Sequence, residues 1–139
     1  MGLRPQPVQI AQGIVYLPHP HHRNGNQNKS QWTISHEGEI SVFTRSYQQN
    51  WLIGSVGWGL HIVGGAISYL GVDQSHAEHV FIAKFILGQP QQPWHGYPAD
   101  HRNNHADIPH EDILKSWMQG NLLPACKISR ILGGKRCKL

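Results

Sequence analysis

Only two cysteines, Cys126 and Cys137, occur in the 139 residues. Few and close to one end, they make a poor disulfide framework and match no zinc-ribbon spacing, so two reduced, structural thiols are expected. Charged residues are also scarce, at 14%, while the 39% of hydrophobic residues are spread throughout, as in a single domain with a real core. No apolar run approaches the roughly 20 residues that a helix needs to cross a bilayer. Met1-Gly2-Leu3-Arg4-Pro5 lacks the apolar segment of a secretory signal. Pro5 and Gln6 stand where myristoylation of Gly2 wants a Ser or Thr context. A cytoplasmic protein without membrane contact is therefore expected. No internal repeat is visible, and no cofactor is expected. Gly54, Gly57 and Gly59 form a loose G-x-x-G-x-G string. A phosphate-cradling loop needs a helix after it, whereas a strand follows here, so the string reads as a connecting loop.

What the chain does have is histidine, eleven in all, together with five tryptophans. Imidazoles titrate near neutrality, ligate metals and carry protons. The formal charge of +4 is modest but uneven. Lys127, Arg130, Lys135, Arg136 and Lys138 crowd the C-terminal end with no acid among them. Such a stretch either attracts phosphates in a salt-dependent way or is a solvated tail, here residues 133–139.

Periodicity places the elements. Gly13 to Leu17 reads as a strand, and Pro18 to Ser30, rich in Pro, His, Asn and Gln, as a flexible polar loop. Trp32 to Ser35 and Glu39 to Arg45 read as two strands of a hairpin around His36-Glu37-Gly38, because Ile40 and Val42 alternate with Ser41 and Phe43. Gly64-Gly65 between Leu60–Val63 and Ala66–Leu70 signals a tight hairpin. His79 to Leu87 is apolar on both faces and reads as a buried, central strand. Pro109 with Glu111-Asp112 opens a helix whose apolar face is Ile113, Leu114, Trp117 and Met118. Pro124 starts a second helix, with Ile128, Ile131 and Leu132 inward and Gly133-Gly134 ending it. The expected fold is α+β, an antiparallel sheet of about five to six strands followed by a C-terminal helical hairpin.

The most informative segment is Trp94-His95-Gly96-Tyr97-Pro98-Ala99-Asp100, which Pro93, Gly96 and Pro98 should hold as a loop. There His95 is the expected proton carrier, with Asp100 fixing its tautomer, while Trp94 or Tyr97 offers a stacking face. The bland alternative is a rigid loop whose aromatics plug the sheet. Lys84, alone in an apolar strand, either neutralises a phosphate or oxyanion, as Arg102 does, or guards a sheet edge. His61 is a satisfied sheet histidine or looks into the site; it or His79 is the expected second proton carrier. Lys127 and Arg130 are expected to help bind the ligand. His101 and His105, four apart, suit a metal on one helix face, although Asn103-Asn104 form helix poorly. His19-Pro20-His21-His22-Arg23 is a basic cluster able to bind a metal or an anion, or simply part of the polar loop.

From His79-Val80-Phe81-Ile82-Ala83-Lys84-Phe85 through Trp94 to Asp100, the chain resembles a block shared by small, uncharacterised bacterial proteins. Asp107-Ile108-Pro109, Ile113-Leu114, Trp117 and Gly133-Gly134-Lys135 continue it. The resemblance implies a bacterial protein and carries no mechanism.

These residues together suit a protein that handles a phosphate-bearing ligand, RNA or a nucleotide; were it an enzyme, metal-independent phosphodiester cleavage by His-based acid/base chemistry is what they would serve best. Two other classes stay open: a non-catalytic module for a protein partner or a small planar ligand, and a His-ligated metal site.

Overall fold

The computed structural model describes residues 6–26, 28–89, 92–135 and 137–139. In chain order the elements are strands β1 (Val8–Ala11), β2 (Ile14–Tyr16) and β3 (Gln31–Trp32), then helix α1 (His36–Gln48). Strands β4 (Leu52–Ile53), β5 (Val56–Val63), β6 (Ala66–Ser68) and β7 (Gly71–Val72) follow. After β8 (His79–Val80), β9 (Ile82–Ile86) and β10 (His95–Pro98), the chain ends in helices α2 (Glu111–Gln119) and α3 (Ala125–Leu132). The fold is α+β. The main sheet runs β10-β9-β5-β4, with β6 also on β5, and every pair is antiparallel. Backbone bonds between β2 and Trp94 extend it to the β1–β2 hairpin. A smaller sheet, β3-β7-β8, lies beside β10. No described helix is long and apolar enough to cross a membrane.

Alternation along β9 divides the core. Ala83 and Phe85 pack with Val42 and Phe43 of α1, whereas Ile82 packs with Trp58, Leu60, Trp117 and Ile131 beneath α2 and α3. The central-strand reading of β9 holds, so Lys84 is no edge guard. The Gly64-Gly65 turn also holds, both residues having positive φ.

Several local readings are overturned. Residues 36–48 form a helix, not half of a hairpin. Ser35 caps it by accepting the Gly38 N–H at 3.0 Å, and Glu37 and Glu39 complement its positive end. Its buried positions are Glu39, Val42, Phe43 and Ser46, a helical spacing disguised because two of the four are polar. Trp94 to Asp100 is likewise no loop, since His95 to Pro98 pair with Ile86 to Ala83. The carbonyls of Gly96 and Pro98 turn away from β9 and accept from Trp32 Nε1 and Ser30 Oγ. The proline's missing N–H therefore falls on the outer side, where an edge strand tolerates it.

The polar segment 18–30 follows a path tied to the core, with Gln27 outside the described residues. Arg23 Nη2 lies 2.8 Å from Glu39, whose carboxylate is fully buried, and Arg23 Nη1 donates to the Ile34 carbonyl at 2.7 Å. Tyr16 donates to the same carboxylate. Burial pushes the Glu39 carboxyl above its ordinary range, against the pull of these bonds. The C-terminal stretch also folds back: Lys127 Nζ donates to the Leu139 carbonyl at 3.2 Å, and Cys137 and Leu139 pack on the core. Arg136 and Met1 to Pro5 lie outside the described residues.

Gly57 and Gly59 belong to β5 rather than to a loop. A Cβ on Gly59 would sit 2.3 Å from Ser46 Oγ and 2.9 Å from Val42 Cγ1, so hydrogen is the only substituent that lets α1 lie this close. Gly59→Ala should cost about 1–3 kcal/mol by overpacking. Urea unfolding checks this, and wild-type stability in that variant would rule the close approach out.

Candidate functional site

Antiparallel register builds the site. Tyr97 pairs with Lys84, Lys84 with Trp58, and His95 with Ile86. Since side chains alternate across a sheet, His95, Tyr97, Lys84 and Trp58 share one face. The segment before β3 brings more imidazoles to that face. The His19 ring lies 5.5 Å from His95 and 4.4 Å from His21, and His22 stacks on Tyr97 at 5.0 Å. His22 Nδ1–H donates to the Ser30 carbonyl at 2.9 Å, which leaves Nε2 as its basic nitrogen.

The electrostatics favour the neutral forms of His95, His19 and His22. Partial burial lowers the His95 pKa. Burial, then the charges of His21, His95 and Lys29, lower that of His19. Burial and Lys29 do the same to His22, with its bond to Ser30 acting in the opposite direction. Tyr97 donates to Asp107 Oδ1 at 2.7 Å, and burial together with that bond raises its phenol. It is therefore a positioning group, not a proton carrier at neutral pH.

The other expected residues are placed as follows. Lys84 is 9% exposed; its Nζ donates to the Ala106 carbonyl at 2.6 Å and lies 3.8 Å from Asp107. It shares the face of His95, yet its ammonium is engaged in holding the turn before α2. Trp94, of opposite parity to His95, is buried against Phe43 and offers no stacking surface. Asp100 does not bond to His95: its Oδ2 accepts from Asn103 at 2.7 Å. Arg102 binds Asp73 at 2.8 Å. Burial raises the Asp73 carboxyl, but bonds from Ser75, Glu78 and Ala77 and the Arg102 charge outweigh it, and the net shift is downward.

His61 alternates with Trp58 and so faces the α1 side, in a groove with Arg45 and Gln48. It cannot partner His95 across the sheet. His79 stacks on Tyr69 with ring centres 3.9 Å apart. Lys127 and Arg130 lie on α3, Lys127 tied to Leu139. His101 and His105 are not on a helix; His101 Nε2–H donates to the Lys135 carbonyl at 2.8 Å and His105 opens a 3₁₀ turn. Among the described residues, no three His, Cys, Asp or Glu side chains gather as a metal site. His19, His22 and Lys29 were not expected here, although the histidine run itself was visible. No local pattern signals that it folds against β10.

No family model, curated protein or solved structure matches the chain. Function must therefore be argued from the site alone.

Lys84→Met should cost about 1–3 kcal/mol by orphaning the buried-side partners of the ammonium; unchanged urea stability would contradict its structural role. For His19, His22 and His95, the folded pKa lies below the ordinary 6.5. The unfolded chain then binds more protons just below that pH, so their contribution is intact above pH 6.5 and is lost as pH falls through the window down to the folded values. The His19→Asn/His95→Asn variant should show a shallower loss of stability between pH 7 and 5; an unchanged slope in denaturation midpoints counts against neutral imidazoles.

Proposed function

We propose that this protein handles a phosphate-bearing ligand, RNA or a nucleotide, and cleaves phosphodiester bonds by proton exchange between His95 and His19. The observation that carries this reading is the 5.5 Å approach of two partly buried imidazoles with lowered pKa values. One ring, neutral, takes the proton of the attacking hydroxyl; the other, protonated, returns one to the leaving oxygen. Such chemistry requires no metal from the protein. Lys29, exposed and close enough to depress His19 and His22, supplies positive charge for the phosphate. Tyr97, held by Asp107, fixes the ring against which His22 lies.

Mixed RNA oligonucleotides, incubated with and without chelator, test this. Cleavage should persist with chelator and fall about a hundredfold or more in His95→Ala and in His19→Ala. Both imidazoles titrate below 6.5, so the rate should peak on the acid side of that pH. Full cleavage in both variants overturns the mechanism. Salt-sensitive RNA binding without cleavage leaves a phosphate-binding module, and the absence of both leaves a module for another partner. Cleavage abolished by chelator points to a metal instead.

A further inference from the structure

Between β8 of the small sheet and β9 of the main sheet, the chain changes partners at Phe81, and a cavity of about 220 Å3 opens there. Phe81, Ile82 and Ala99 are among its apolar lining residues, and Glu78, Asp100 and Arg102 among its charged ones. The cavity is smaller than the roughly 300–1,000 Å3 of sites for drug-sized ligands, and suits one flat ring system rather than a dinucleotide.

Two side chains on the cavity wall have capacity left for a ligand. Phe81 is half-buried and stacks on no other aromatic among the described residues. Asp100 is 5% exposed, and only one of its oxygens, Oδ2, is bonded. Its Oδ1 has Arg102 Nε 3.6 Å away, beyond hydrogen-bond reach, because the guanidinium is turned to Asp73. Oδ1 is paired with Arg102 through charge alone and is open to the cavity, so it can accept from a ligand lying beside the Phe81 ring.

We propose that this cavity is a nucleobase pocket that prefers guanine: Asp100 accepts from the ring N–H and the exocyclic amino group while the base lies on Phe81. Guanine presents two adjacent donors to a carboxylate. Adenine presents an acceptor at the corresponding ring nitrogen, and uracil a single donor. Stacking on Phe81 adds affinity without choosing among bases. The inference rests on the phosphate-ligand reading for its biological sense, since β10 joins the two places. From His95 to Asp100 the chain spans at most about 17 Å, so an RNA strand, not one nucleotide, reaches both.

Calorimetric titration of the whole protein with guanosine, inosine, adenosine and uridine tests the pocket. Guanosine should bind about ten- to hundredfold more tightly than inosine or adenosine, the effect of a lost bond to a charged group. Asp100→Asn should erase that preference, and Phe81→Leu should weaken all four nucleosides together. If Asp100→Asn fails to fold, guanosine against inosine on the unaltered protein decides the matter, because inosine lacks only the amino group. Equal binding of the four, no binding, or a preference untouched by Asp100→Asn overturns the proposal. Nucleosides carry no phosphate, so the two readings fail separately. RNA cleavage without guanosine binding sinks the pocket alone; guanosine binding without RNA binding sinks the phosphate reading alone.

Discussion

Asp107 sits where the sheet hands over to the terminal helices, and its carboxylate is shared by three neighbours. Tyr97 donates to Oδ1 at 2.7 Å and the Asp100 N–H to Oδ2 at 2.8 Å, while Lys84 Nζ stands 3.8 Å away. These contacts tie β10, the segment after it and β9 to the 3₁₀ turn that precedes α2. A charge in so dry a place is tolerable only when it is bonded and matched. Because the bonds are directional, they also set where neighbouring groups point. Tyr97 is held as a platform for His22, and the backbone at Asp100 is held at the mouth of the cavity. The imidazole face and the neighbouring cavity thus both hang from one buried carboxyl side chain.

A second buried carboxylate does similar work at the other end of the site. Glu39, on α1, gathers Arg23 and Tyr16, and Arg23 in turn reaches the Ile34 carbonyl. This anchors the segment that carries His19 and His22 to the rigid body. A segment composed of Pro, His, Asn and Gln has little apolar surface with which to hold itself against β10. Ionic and hydrogen-bonded contacts supply the order instead, and its histidines reach His95 in a defined arrangement. The lowered proton affinity of His19 and His22 follows from the same packing, since partial desolvation and nearby positive charge both disfavour the imidazolium.

Legibility in the sequence followed the range of the signal. The β5–β6 turn, the two-faced apolar run of β9 and the two terminal helices announce themselves within a dozen residues, through glycine pairs, proline starts and periodicity. Helix α1 was misread because Glu39 and Ser46 occupy buried positions, which breaks the apolar stripe. Strand β10 was misread because Pro98 and Gly96 resemble loop residues unless the strand is known to lie at an edge. Lys84, His95 and Tyr97 do share a face, as their grouping in the chain suggested. Asp100, Arg102 and His61 do not join them: Asp100 and Arg102 line the neighbouring cavity, and parity turns His61 toward α1.

Composition and local pattern by themselves determined an α+β chain with a buried central strand, a paired helical end and an unusual store of imidazole. Those properties depend on neighbours in sequence, so a linear reading suffices. Which histidines meet, which charges are already matched and which carboxylate oxygen faces a cavity were decided only in three dimensions. Each depends on strand register and on contacts between residues far apart in the chain. A shift of register by one residue would have turned His95 into the core and Trp94 outward.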